Sequence, residues 1–436
     1  MKRIGCFCML IAFIGLAPSI SQAANKYVRP GAPGSNNGTD WTNAYTSLPA
    51  ALVRGDTYYV ASGSYPAYTF ADPLSGTLTI TVKKATAADH GTETGWQAAF
   101  GAGQATFNSV IRFQTGYYLL DGQTRNESDW FDGASYGFRI AHNNQDQNIV
   151  INNYGKAPSN ISVKYTFVDA IVGNLPSITI RRYAIDTDDF DGGSVASNLL
   201  FHRMYVSGSN NVWFLRTTNG AIVEYSASNG VVSNAANHGE IVNLYYSGAN
   251  AILRYNQWKN AFIGYGGTAL VAITQADGLQ FYGNVVSNFE VGDAAIGFNG
   301  YSSSRNRVYN NTFIGGVGYN SGTAWGSGTD NLVYNNLFIN CRTVYIEGTN
   351  DYNGFSDSDG RGEANAQVNI PTSIFANYSG GNFKLVAETR AGMVLAAPFN
   401  KDLLGNTRGA DGTVSRGAFE FNSGTSLSPP QNLVIR

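Results

Sequence analysis

Short apolar runs alternate with Gly/Asn turns through the middle of the chain, and they recur in register. The phrase reads RYNQWKN at Arg254–Asn260, YGNVVSN at Tyr282–Asn288, YNNTFIG at Tyr309–Gly315 and YNNLFIN at Tyr334–Asn340. Its third residue is Asn256, Asn284, Asn311 and Asn336, at spacings of 28, 27 and 25 residues. Weaker copies place Ser226 and Arg203 in the same register position. Repeats of this length, built from short strands and turns, predict a solenoid in which each turn covers the next.

Stacking the phrases defines columns. Three residues before the register stand Ile180, Leu200, Val223, Leu253, Phe281, Val308 and Val333, an apolar set that points into the core. Two residues after it stand Tyr205, Trp258, Val286, Phe313 and Phe338, also core-like, with Ser228 the exception. Two before it stand Arg181, Phe201, Glu224, Arg254, Tyr282, Tyr309 and Tyr334, which alternation turns outward. Rungs lie about 4.8 Å apart, so Glu224 and Arg254 are expected to pair and the tyrosines to stack. The register asparagines are expected to bond from rung to rung, satisfying polar groups that burial would otherwise make costly.

The pattern divides the chain into a leader (1–23), an N-terminal cap with the first strands (24–104), rungs (105–348), a closing segment (349–422) and a Ser/Pro-rich tail (423–436). In the leader, Lys2 and Arg3 precede an apolar run and a small-residue cleavage site ending at Ala23, which predicts export. A short amphipathic helix is expected over Asn43–Leu52, with Leu48 and Leu52 on one face and Pro49 near its start. Such a helix would cap the open end of the solenoid.

Composition narrows the function. Charged residues are 13% and the net charge is −2, so nucleic acid is not an expected partner. No apolar run reaches the ~20 residues that span a bilayer. Removing the leader leaves Cys341 alone, so no internal disulfide is expected.

The opening YVRPGAPGSNNGTDW, the NNTF and NNLF phrases and the closing DLLGNTRGADGTVSRGAFEF together resemble the pectin-lyase-like superfamily. The resemblance covers nearly all of the mature chain. It implies an all-β fold, a right-handed parallel β-helix with an N-terminal helix cap and a C-terminal closing segment. It also implies a polysaccharide partner; with the export leader the chain is expected to be secreted (extracellular, periplasmic or cell surface), and a monomer is expected. That superfamily holds lyases, hydrolases, epimerases and proteins without known chemistry, so fold does not assign a reaction.

Several residues are candidates for chemistry. His238 and Glu240 precede the strand that carries Tyr245, and Arg254 follows on the next. Elimination from an acidic sugar requires a cation on the carboxylate, a base for the C5 proton and an acid for the leaving oxygen. The stretch GEIVNLYYSGANAILRYN resembles the catalytic strand of alginate and chondroitin lyases of this fold. By that resemblance Glu240 would bind Ca²⁺, and Tyr245 stands where those enzymes place a lysine. His202 reads either as a further member or as a core histidine. Asp186, Asp188, Asp189 and Asp191 form a dense acidic stretch that suits Ca²⁺ or, if suitably spaced, paired-carboxylate hydrolysis. Tyr282, Tyr309 and Tyr334 read as a sugar-stacking strip or a structural ladder. A second acidic turn, Asp357–Glu363, reads as structural. The leading expectation is lyase-type elimination on an acidic glycan. The alternatives are a non-catalytic glycan-binding or adhesive solenoid and a glycoside hydrolase.

Overall fold

The computed structural model describes residues 23–141, 147–152, 157–170, 183–187, 194–233, 238–245, 248–263, 268–274, 276–297 and 300–422. The leader and the Ser/Pro-rich tail lie outside them, apart from Ala23. The strands form a parallel coil. A 12-stranded first sheet runs through Asn25–Val28, Thr57–Val60, Ile80–Lys84, Tyr118–Asp121, Ile161–Lys164, Leu199–His202, Ile222–Glu224, Ile252–Arg254, Gln280–Tyr282, Arg307–Tyr309, Leu332–Tyr334 and Thr349–Asp351. An 18-stranded sheet supplies the other two faces as two rows. They merge where Val285–Gly297 and Thr312–Ala324 each run through 13 residues around a corner. Parallel pairing therefore begins at Asn25 and extends to Gly354–Phe355, beyond 105–348 on both sides.

One residue per rung turns the chain out of the first sheet in the left-handed region: Tyr225, Tyr255, Gly283, Asn310 and Asn335. The next residue is the ladder position. The Asn256 backbone N–H and Nδ2 both donate to Asn284 Oδ1, at 2.9 and 3.0 Å. Asn284 repeats this on Asn311, Asn311 on Asn336, and Asn336 on Asn353. Each Nδ2 also donates to a strand carbonyl, such as Phe281 O for Asn311 at 2.9 Å. These side chains are fully buried and fully bonded, which is why asparagine is tolerated inside an apolar coil. The ladder ends on Glu363, whose two carboxylate oxygens accept from Asn353 N and Nδ2. The turn read as merely structural thus caps the column.

The inward columns pack as rung-spaced stacks. The Phe313 and Phe338 rings stack nearly parallel, 5.0 Å apart, and Phe355 continues the stack at 5.7 Å.

Two expectations are corrected. No helix forms over 43–52, which is bends and irregular backbone with one isolated bridge at Tyr45. Pro49 has no N–H to donate, and neighbouring N–H groups go to side chains instead. Leu52 N donates to Asp72 Oδ1 and Val53 N to Tyr58 Oη. Leu48 and Leu52 are nonetheless buried in the core with Val28 and Val60, so the segment covers the coil without being helical. The weak copy that put Arg203 in register is also out by one. His202 pairs with Glu224, so Met204 rather than Arg203 aligns with Ser226, and Met204 N donates to Ser226 Oγ. A one-residue slip reverses the faces. Phe201 is core, Tyr205 faces out against Phe167, and His202 joins the outward column.

Among the described residues no helix is long and apolar enough to cross a membrane.

Candidate functional site

The first sheet carries one continuous outward column: Tyr27, Tyr59, Lys83, Asp121, Lys164, His202, Glu224, Arg254, Tyr282, Tyr309, Tyr334 and Asp351. Non-repeating segments cover both of its ends. At the first rungs, Tyr27 and Tyr59 are buried with Trp41, and Trp96 packs 5.1 Å from Trp41. At the far end the closing segment folds back. Phe399 meets Tyr282 and Tyr309 edge-on, each at 4.9 Å, and its carbonyl accepts from Asn310 Nδ2. Tyr282 and Tyr309 are therefore buried, and the expected sugar-stacking strip is instead an internal aromatic contact. Tyr334 stacks on Tyr309 at 5.7 Å and is half-buried.

Between the covers the column is partly open and carries charge. Glu224 lies at its centre, with its side chain 8% exposed. One carboxylate oxygen bonds His202 Nδ1 at 2.8 Å, and the other accepts from Arg254 Nε at 2.6 Å. Arg254 Nη1 donates to the Tyr282 hydroxyl at 3.1 Å. The Glu224–Arg254 pair expected from the repeat is present, and His202 extends it. Burial pushes the Glu224 pKa up, but the His202 bond and the Arg254 charge outweigh it and hold the carboxyl below its usual range. Burial also lowers His202, with Arg203 and Lys164 adding to the effect against the upward pull of Glu224. A neutral His202 that donates through Nδ1 leaves the Nε2 lone pair to accept a proton. Among the described residues no hydrogen bond engages Nε2. The rings of Tyr165 and Tyr225 stand edge-on to the imidazole, each at 5.9 Å. Burial raises both phenols, Tyr225 to about 12, so both stay protonated at neutral pH.

The insertion between Asp121 and Phe138 forms a wall beside this group. Arg125 pairs with Glu127 at 3.0 Å, Glu127 also binds Arg203, and Trp130 packs on Tyr225. One rung before His202 is Lys164, which makes no ion pair among the described residues. It borders a shallow polar depression lined by Thr79, Leu119, Asn160, Ser162 and Asn198.

The remaining candidates lie elsewhere. Glu240–Tyr245 belongs to the third row of strands, a different face from Leu199–His202. His238 is about half-exposed and its Nδ1 is 3.8 Å from Glu240 Oε1, while Glu240 itself is buried. Tyr245 lies 5.2 Å from the Arg216 guanidinium. The structure thus splits the expected set: His202 and Arg254 converge, whereas His238, Glu240 and Tyr245 do not join them. Asp188, Asp189 and Asp191 lie outside the described residues. Asp186 is buried and accepts from Gln147 Nε2. Among the described residues no three His, Cys, Asp or Glu side chains are grouped to hold a metal ion. Lys164 and Glu224's bond to His202 were missed in the sequence. The signal was present, because counting back from Ser226 through Glu224 reaches His202 once the slip is removed.

No protein-family profile matches the chain, and no curated protein is detectably similar to it. Among solved structures it is similar to pectate lyase Pel9A, at 15% identity over 93% of this chain and 98% of that one, with a TM-score of 0.56. It also aligns with AlyGC, a PL6 family alginate lyase, at 11% identity over 73% of this chain and 50% of that one, with a TM-score of 0.34. A third alignment is with the GH136 lacto-N-biosidase from Eubacterium ramulus, at 10% identity over 80% and 68%, with a TM-score of 0.38. The likeness to Pel9A shows a shared parallel β-helix fold.

Proposed function

We propose that this chain acts outside the cytoplasm on an acidic polysaccharide, held on the open stretch of the first sheet and cleaved by β-elimination. The observation that supports this is the His202–Glu224–Arg254 group placed one rung from Lys164, which makes no ion pair among the described residues. Lys164 sets its charge against the sugar carboxylate, which acidifies the adjacent C5–H. His202 Nε2 takes the C5 proton, and the C–H electron pair becomes the C4=C5 double bond. The C4–O bond breaks, and the leaving oxygen takes a proton from Tyr165 or Tyr225. Glu224 is a positioning residue: it holds the tautomer and stabilises the imidazolium that forms. Arg254 fixes Glu224 in turn. The expected Ca²⁺ is not used in these steps; of its four expected aspartates Asp186 bonds Gln147, and the other three lie outside the described residues.

A non-catalytic glycan-binding solenoid is the second reading. Its support is the separation of His238 and Glu240 from His202. Unsaturated-product absorbance on pectate, alginate, glycosaminoglycans and the rhamnogalacturonan I backbone, for wild type and His202→Gln, separates the two. Product from wild type that is lost in His202→Gln is expected. A wild type that is inert across the panel refutes elimination, and retention on an acidic glycan gel would then favour binding alone.

A further inference from the structure

The open stretch runs from Lys83 to Arg254, six rungs of the column, or roughly 24 Å at ~4.8 Å per rung. Its charges alternate. Lys83 is paired with Asp89 at 2.5 Å, and Arg254 with Glu224. Lys164 is left as the cation of this stretch without an ion-pair partner among the described residues. Asp121 stands one rung to one side of it and Glu224 two rungs to the other. Asp121 is half-buried and accepts the Gln123 backbone N–H at 2.9 Å, and it has no ion pair among the described residues.

A glycan lying along the column advances by about one sugar per rung. A polymer with a carboxylate on every sugar would set one carboxylate on Lys164 and its neighbour against Asp121. Resting on the site proposed above, we infer that the ligand is a heteropolysaccharide in which an isolated uronate is flanked by neutral sugars. Lys164 receives the uronate, and Asp121 is the residue that rejects a continuous polyuronate. The covers at Tyr59 and Tyr282 limit contact to a short stretch of such a chain.

The test is binding by affinity electrophoresis to the rhamnogalacturonan I backbone, where uronate and neutral sugar alternate, and to polygalacturonate. Wild type should be retained more strongly by the alternating polymer, and Lys164→Met should lose both. Asp121→Asn keeps the oxygen that accepts Gln123 N–H and removes the charge. It should tighten polygalacturonate binding about twofold to threefold at physiological salt, as one unit repulsion at ~5 Å in water allows. Its binding to the alternating polymer should tighten less, because only the uronate on Lys164 then lies near Asp121. Equal retention of both polymers by wild type, or an unchanged ratio in Asp121→Asn, overturns the inference while leaving the site intact. If neither polymer binds, or Lys164→Met has no effect, the proposed site itself is refuted.

Discussion

Replacing Glu224 by Gln keeps the side-chain volume and removes the charge that His202 and Arg254 share. Two observables should move together. The first is stability. Removing one member of a buried ion pair costs about 3–5 kcal/mol, whereas an exposed pair is worth about 0–1 kcal/mol. Glu224 is close to the buried limit, but the Arg254 side chain is 27% exposed and keeps its bond to Tyr282. A loss of about 2 kcal/mol is therefore expected, read from urea unfolding followed by the fluorescence of the buried Trp213, Trp258 and Trp325. The second is the His202 titration. Burial lowers its pKa, and the Glu224 bond and charge are what raise it against Arg203 and Lys164. The variant should therefore titrate lower still by NMR. Because the folded pKa lies below the unfolded value of about 6.5, this group's contribution to stability is complete above that pH. It is lost as pH falls from there through the folded pKa. In Glu224→Gln that window should extend further into acid. A His202 pKa that is unchanged or higher, with a stability loss under about 0.5 kcal/mol, would refute the role of Glu224 in holding His202.

The internal ladder makes a second prediction. Asn311→Ala orphans the buried Asn284 N–H and Phe281 C=O, at about 1–3 kcal/mol each, so a loss of about 3–5 kcal/mol is expected. Asn288→Gly, which removes an exposed rung bond at a left-handed position without backbone strain, should cost under about 1 kcal/mol. Similar midpoint shifts for the two variants in urea would contradict the ladder's role. Burial pushes the Cys341 thiol to about 12. A thiol reagent at about pH 8 should leave it unlabelled until the chain unfolds, and rapid native labelling would show that the rung is open.

The regular part of the coil was legible wherever asparagine marked the register. From Asn256 to Asn336 the inward and outward columns follow from counting, and the Glu224–Arg254 pair lies where the count puts it. Legibility failed where the marker changed. Met204 occupies the ladder position of its rung, nothing in its side chain announces that, and the slip hid His202 from its own column. Asn353 and Glu363 escaped because the last rung is 17 residues long and ends on a carboxylate instead of another asparagine. The helix expected over 43–52 failed for a local reason: Leu48 and Leu52 are both core, but side chains and Pro49 removed the backbone donors a helix requires.

The sequence by itself determined the coil and which side of each strand faces inward. The cause is local: strands alternate with period two, and a parallel rung repeats the pattern at a fixed spacing. Only the tertiary structure decided which part of the outer face is a surface. Phe399 reaches Tyr309 from 90 residues away, and the loop carrying Trp130 lies over Tyr225 from nearly a hundred. Neither segment repeats, so no periodicity announces where it lands. Those two placements turn a uniform outward column into a short charged window around Lys164 and His202.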